Sequence, residues 1–125
     1  MTNPKQLLII DDDPDFRELV RLAAETVGYS AVTAPNCSAG LEMLQRQKEK
    51  IGLVFLDYLM PGLAPSVCAD CIRDIVGTEI PVVLVTASVS PGDLAKKLGL
   101  HNWLAKPFDL DRLIEVIETG RGNPC

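Results

Sequence analysis

The sequence predicts an α/β fold built on a doubly wound, five-stranded parallel sheet. Short apolar runs, such as residues 7–10, 53–56 and 81–85, alternate five times with stretches of helical periodicity. Runs of this length that are rich in branched residues are typical of strands buried on both faces, and the helices between them act as right-handed crossovers. Ligands of such folds bind beyond the carboxyl ends of the strands, where the strand order reverses.

Start and stop signals mark the predicted elements. Asp13 and Pro14 open the first helix, and Gly28 ends it. A strand over about 30–34 and a helix over about 38–48 follow. The remaining predictions are a strand ending at Asp57, a helix over about 65–76, a strand from Pro81, a short helix over about 91–98, a strand over about 103–105 and a last helix opened by Asp109.

Length and composition fit one small domain, which we place at residues 1–119, with a linker-like tail over 120–125. The chain has 125 residues, of which 47% are hydrophobic and 23% charged, enough for a single core.

The net charge of −5 argues against direct nucleic-acid binding, which needs a basic surface. No apolar run approaches the roughly 20 residues of a membrane-spanning helix, so we expect a cytoplasmic protein without membrane contact.

The four cysteines are expected to be unpaired. Cys68 and Cys71 lie on one apolar helical stripe, and buried small hydrophobes explain them better than a redox or metal motif. Cys37 lies near a helix start and Cys125 is terminal, and spacing suggests no partner for either.

Two apolar runs stop on aspartate: the first runs into Asp11, Asp12 and Asp13, and another into Asp57. Parallel strands end together, so these carboxylates should meet in one crevice. Like charges a few ångströms apart stay ionised only when a cation joins them, which predicts a hard divalent metal with oxygen ligands. Asp13 is best explained as a helix cap. Solvated loop acids are the alternative for Asp11 and Asp12.

Two more predicted strands end on polar residues that can contact a phosphate group, Thr86 and Lys106. Taken alone, Thr86 could be an ordinary strand-end hydroxyl and Lys106 a surface lysine. Beside an acidic metal site, the hydroxyl and the ammonium complete a site for phosphate.

His101 is a lone loop histidine, for which a structural role is favoured. Trp103 fits a plain core position, although its place three residues before Lys106 suggests something more specific.

Four segments together resemble the receiver domain of two-component response regulators, which has a flavodoxin-like fold, over about residues 5–119. They are Leu-Leu-Ile-Ile-Asp-Asp-Asp-Pro-Asp from Leu7, Leu-Asp-Tyr-Leu-Met-Pro-Gly from Leu56, Val-Thr-Ala from Val85, and Trp-Leu-Ala-Lys-Pro-Phe from Trp103. Each pattern is weak alone, but their order at strand ends is highly specific.

The resemblance implies that Asp57 accepts a phosphoryl group. It also implies Mg²⁺, for which Mn²⁺ can substitute, held by Asp12, Asp57 and the backbone carbonyl of Leu59, with Asp11 acting through water. Lys106 would neutralise charge on the phosphoryl oxygens, and a cis bond to Pro107 would aim it.

The resemblance further assigns Thr86 and Trp103 to a switch, in which the ring turns inward as the threonine moves, with the fourth helix, fifth strand and last helix as readout. The implied partners are a histidine kinase or histidine phosphotransfer protein, an output domain or downstream protein, and a second copy in a phosphorylation-dependent homodimer.

Three other function classes are weighed against this one. A phosphatase with an aspartyl nucleophile needs a second aspartate as general acid two residues after Asp57, where this chain has Leu59. A nucleotide or flavin binder needs a glycine-rich or hydroxyl-rich phosphate loop after the first strand, where Asp11, Asp12 and Asp13 would repel phosphate. A receiver-like module that acts by binding alone, without phosphorylation, is the main alternative.

Overall fold

The predicted alternation of strands and helices is confirmed in a computed structural model, which describes residues 6–58 and 60–124. The elements are β1 (Gln6–Ile10), α1 (Pro14–Thr26), β2 (Ser30–Ala34), α2 (Cys37–Gln47), β3 (Ile51–Asp57), α3 (Pro65–Val76), β4 (Val82–Thr86), α4 (Pro91–Lys97), β5 (Asn102–Ala105), α5 (Leu110–Thr119) and β6 (Asn123–Pro124). The sheet order is β2-β1-β3-β4-β5-β6, and β1 to β5 are all parallel.

The sheet separates two hydrophobic cores. Because side chains alternate along a strand, Val54 and Leu56 of β3 face the core under α2, α3 and α4, whereas Leu53 and Phe55 face the core under α1 and α5. Helix α2 lies especially close to the sheet, since a Cβ on Gly40 would come within 2.5 Å of the Ile10 side chain. Burial on both faces explains the continuous apolar runs.

The predicted helix caps are present. The Asp13 carboxylate accepts a hydrogen bond from the Asp15 N–H, and Asp109 accepts one from the Arg112 N–H. These caps fix where α1 and α5 begin. They therefore also fix the loops between those helices and the strands before them.

The prediction that the cysteines are unpaired is wrong for two of them. Cys37 and Cys68 form a disulfide, with a Cα–Cα distance of 6.1 Å across a separation of 31 residues. Cys71 is free, and Cys125 lies outside the described residues. The pairing follows from topology: α2 and α3 lie side by side on one face of the sheet and start at the same edge, which chain spacing does not reveal.

The tail differs from the expectation of a plain linker. Residues 123–124 form β6, which pairs antiparallel with Asn102 and Trp103 of β5 and adds a sixth strand to the five predicted ones. Among the residues that the structure describes, no helix is long and apolar enough to cross a membrane.

Candidate functional site

The carboxyl ends of β1 and β3 bring three aspartates together. Ile10 and Leu56 are partners in the parallel register, so the next residues, Asp11 and Asp57, emerge side by side. One carboxylate oxygen from each of Asp11, Asp12 and Asp57 lies within 4.8 Å of the others. Asp11 is fully buried, Asp57 is 8% exposed, and Asp12 is open to solvent.

Asp11 is held firmly by its surroundings. Its Oδ1 accepts a hydrogen bond from the Asp13 N–H at 2.9 Å, and its own N–H donates to the Ala34 carbonyl at 3.0 Å. The Arg17 guanidinium donates to the Asp11 carbonyl at 2.7 Å. These contacts hold the Asp11 carboxyl group in one position in the site, unlike a carboxyl group on a mobile loop.

Lys106 reaches across the sheet to the same cluster. Its Nζ lies 3.2 Å from Oδ2 of Asp11 and 3.3 Å from Oδ1 of Asp57. The Lys106 N–H donates to the Thr86 carbonyl at 2.8 Å, which anchors the residue at the end of β5, and the bond to Pro107 is cis, as the resemblance implied. Lys106 is thus paired with the acidic cluster and is not a free lysine in solvent.

An aromatic contact that the sequence did not predict supports this lysine. The Lys106 Nζ lies 4.2 Å from the centroid of the Phe16 ring, a cation–π distance. The Phe16 ring in turn meets Phe108 edge-on at 5.7 Å. Phe16 belongs to the apolar stripe of α1, and that pattern shows burial without showing that one ring faces an ammonium.

Thr86 and Trp103 lie on the two strands beside the acidic cluster. Thr86 is buried at the end of β4, and its Oγ1 accepts a hydrogen bond from the Ser88 N–H at 3.1 Å. Trp103 is half-buried on β5, paired in register with Leu84. His101 is exposed and lies just before β5, at the opposite edge of the sheet from the acidic cluster.

Crowding changes the acidity of Asp57. Burial raises the pKa of its carboxyl group from 3.8 to about 6, the Asp11 charge adds to the rise, and attraction to Lys106 opposes it. The carboxylate thus costs free energy to ionise, a property common at functional sites.

The donor set fits a hard divalent cation. Three carboxylates and one ammonium carry a net charge of −2 when ionised, which a divalent cation would cancel. All the side-chain donors are oxygens, as Mg²⁺ prefers. Leu59, the predicted source of a backbone ligand, lies outside the described residues.

Comparison with known proteins gives the family. Residues 7–118 match the family described as response regulator receiver domain. The chain belongs to this family. The transcriptional regulatory protein GlrR of Escherichia coli is 35% identical over 92% of the chain, which spans only 26% of GlrR.

Solved structures agree with this assignment. The receiver domain of NtrX from Brucella abortus is 30% identical, with a TM-score of 0.78 over 90% of this chain and 95% of that one. Chemotaxis protein CheY4 of Vibrio cholerae, 22% identical, shares the fold with a TM-score of 0.82 over 94% and 98% of the two chains. The chain is therefore a receiver domain of the two-component type, a phosphoacceptor signalling module with a flavodoxin-like fold.

Proposed function

We propose that Asp57 is the phosphoacceptor of this receiver domain and that Lys106 and Thr86 bind the incoming phosphoryl group. The observation that carries the proposal is the position of Asp57, buried at the end of β3 and 3.3 Å from the Lys106 ammonium. Asp12 is exposed and Asp11 is tied to backbone groups, so Asp57 is the carboxylate placed to react.

The transfer is an in-line displacement at phosphorus. An Asp57 oxygen forms a bond to phosphorus while the bond to the donor nitrogen of a phosphohistidine breaks, and the bonding electron pair leaves with the imidazole. Negative charge on the phosphoryl oxygens is stabilised by the Lys106 ammonium, which is already placed before the reaction. The Thr86 hydroxyl donates a hydrogen bond to one of these oxygens, which draws it away from the Ser88 N–H.

Asp11, Asp12 and Asp57 would hold Mg²⁺, or Mn²⁺ in its place, with the Leu59 carbonyl as a further ligand. The bound ion would neutralise charge on the carboxylates and on the phosphoryl oxygens. The same residues keep the donor oxygens at one edge of the sheet, where Lys106 balances part of their charge.

Membership of the family supports a proposal for the biological phosphoryl donor and for the target. We propose that a histidine kinase or a histidine phosphotransfer protein supplies the phosphoryl group. An output domain, a downstream protein or a second copy of the chain would read the change. The only reactions expected of the domain itself are its own phosphorylation and slow dephosphorylation. Trp103 and Thr86 would link the site to the face formed by α4, β5 and α5.

The test is labelling with acetyl phosphate and Mg²⁺, followed by mass spectrometry. The wild-type protein should gain one phosphoryl group, located on Asp57, and a chelator should prevent the gain. Asp57→Asn should not be labelled. Asp13→Asn is the matched control, because Asp13 belongs to the same acidic run but its side chain caps α1; this variant should label like the wild type.

Label that persists in Asp57→Asn would contradict the assignment. A wild-type protein that folds and binds Mg²⁺ but never gains a phosphoryl group would favour the alternative, a receiver-like module that acts by binding alone.

A further inference from the structure

The chain folds back on itself after α5 and covers the edge of the sheet. Gly120 takes the left-handed conformation at φ 69°, and its N–H donates to the Val116 carbonyl at 2.8 Å. This reversal brings residues 123–124 antiparallel to the start of β5. Without them, β5 would present unpaired backbone groups at the edge. We call residues 120–124 the cover strand.

The cover strand is fitted to its place by specific contacts. The Arg112 guanidinium of α5 donates to Oδ1 of Asn123 at 2.7 Å. Gly122 approaches β5 so closely that a Cβ there would come within 2.4 Å of the Trp103 carbonyl oxygen. Since real Cβ atoms do not come so close to backbone, only glycine permits this pairing. Any side chain at position 122 must push the cover strand off β5.

The same strand binds the side chain of Trp103. The indole N–H donates to the Pro124 carbonyl at 3.2 Å. The same nitrogen also borders the start of α4, since a Cβ on Gly92 would lie 3.1 Å from it. The indole nitrogen thus lies against both the start of α4 and the cover strand, and an inward turn of the ring would take it away from the Pro124 carbonyl.

We propose that the cover strand holds Trp103 in its present orientation and is released when Asp57 is phosphorylated. This inference rests on the proposed function. The inward movement of the ring breaks the indole bond to Pro124, and the strand loses a contact that fixes its end. Release would expose the β5 edge and the neighbouring surface of α5, and would free the chain that follows α5.

Thermodynamic linkage adds a second consequence. If phosphorylation weakens the cover strand, then detaching the strand must favour phosphorylation by the same factor. For the loss of one partly exposed hydrogen bond, that factor is about 2- to 10-fold. A variant without the pairing should therefore reach a given level of label at a lower donor concentration.

The experiment measures hydrogen–deuterium exchange of the tail and phosphoryl content on the same samples. In wild-type protein, exchange of the backbone amides of residues 120–123 should rise about 2- to 10-fold on labelling with acetyl phosphate and Mg²⁺. In Gly122→Ala, exchange should be fast before labelling, and half-maximal labelling should need about 2- to 10-fold less donor. Arg121→Ala is the matched control, because this tail side chain is exposed, and it should behave like wild type.

Trp103→Phe tests the indole bond separately. It keeps an aromatic ring but lacks the N–H, so tail exchange should already be raised without label and should change little on labelling. Trp103 is the only tryptophan in the chain, so its fluorescence reports the ring movement directly in the wild type and in Gly122→Ala.

The outcomes separate the two proposals. Full labelling of Asp57 with unchanged tail exchange overturns this inference and leaves the proposed function intact. Equal donor requirements in Gly122→Ala and wild type, when exchange shows the strand detached, also overturn it. Absence of labelling in the wild type overturns the proposed function, and release on phosphorylation fails with it.

Discussion

The two ends of the parallel strands differ: a large cavity lies at the amino ends of β4 and β5, whereas the crowded charged side chains lie at the carboxyl ends. At the amino ends of β4 and β5 lies a cavity of about 570 Å³, bordered by the end of α3 and lined by residues that include Arg73, Asp74 and His101. At the carboxyl ends, oxygens of three aspartates lie within 4.8 Å of one another, and a lysine contacts two of these aspartates. The large cavity lacks such crowding, because Arg73 is paired with Asp70 of its own helix.

The difference follows from how the strands are built. The strands β1, β3 and β4 are apolar along nearly all of their length, so their polar groups lie mainly at the ends. At the carboxyl ends Asp11, Asp57, Thr86 and Lys106 lie at the ends of four neighbouring strands, along one edge of the sheet. At the amino ends the chain arrives from helix termini through turns, such as Gly77 and Gly99 with positive φ, and polar side chains there remain in solvent. Crowded buried charge, rather than cavity volume, distinguishes the end at which we propose that the domain is phosphorylated.

The largest expected effect comes from removing the lysine at the carboxyl end. Lys106→Ala should slow labelling by acetyl phosphate about 10²- to 10³-fold, because a charge placed for the transition state is lost. His101→Ala, in the cavity at the other end, should leave the rate unchanged. The measurement is the initial rate of phosphoryl gain by mass spectrometry at fixed Mg²⁺. A similar loss of labelling rate in both variants would contradict the contrast between the two ends of the strands.

The disulfide should have the next largest effect. Cys37 and Cys68 join the starts of α2 and α3 at the carboxyl end. Closing a loop of about this length typically stabilises a protein by about 2–4 kcal/mol, mainly by restricting the unfolded chain. Reduction should therefore lower the free energy of unfolding by that amount in urea titrations.

Cys71→Ala is the control, because Cys71 lies on the same helix but is free. It should keep the dependence on reductant, whereas a Cys37→Ala, Cys68→Ala double variant should lose it. Equal free energies of unfolding for oxidised and reduced wild type would show that the disulfide does not stabilise the fold.

Sequence patterns predicted the parts of the molecule that depend on local periodicity. The strands, the caps at Asp13 and Asp109, and the meeting of Asp11 with Asp57 all follow from apolar runs and from the rule that parallel strands end together. The Cys37–Cys68 bond and the Phe16 ring beside Lys106 could not be predicted this way. Both depend on which helices become neighbours and on how their faces are rotated.

The tail shows the same limit. Glycine and proline at 120–124 are typical of a linker, and nothing in their order indicates a strand. The pairing with β5 depends on an exposed edge, and on Arg112 of α5 lying within reach of Asn123. These contacts exist only after the sheet has formed.

The smallest effect concerns the cost of the buried charge on Asp57 in metal-free protein. Its pKa is raised by burial and by Asp11 to about 6 in the folded state, against 3.8 ordinarily. Between these pH values the native state binds more protons at this residue than the unfolded state, so its contribution to the free energy of unfolding falls as pH rises. The penalty is complete above pH 6 and absent below about 3.8. At about 1.4 kcal/mol per pKa unit, it amounts to about 2–3 kcal/mol.

Asp57→Asn should therefore stabilise the metal-free protein at pH 7 by about 2–3 kcal/mol, with the gain shrinking to nothing as pH falls from 6 toward 4. The quantity to compare is the difference in unfolding free energy between variant and wild type at each pH in the presence of chelator, since other carboxyl groups then cancel. Asp74→Asn, an exposed carboxylate at the opposite end, should stay within about 0.5 kcal/mol of wild type throughout. If Asp57→Asn gives a difference that is flat with pH, Asp57 carries no special electrostatic cost, and the contrast between the two ends of the sheet would rest on geometry alone.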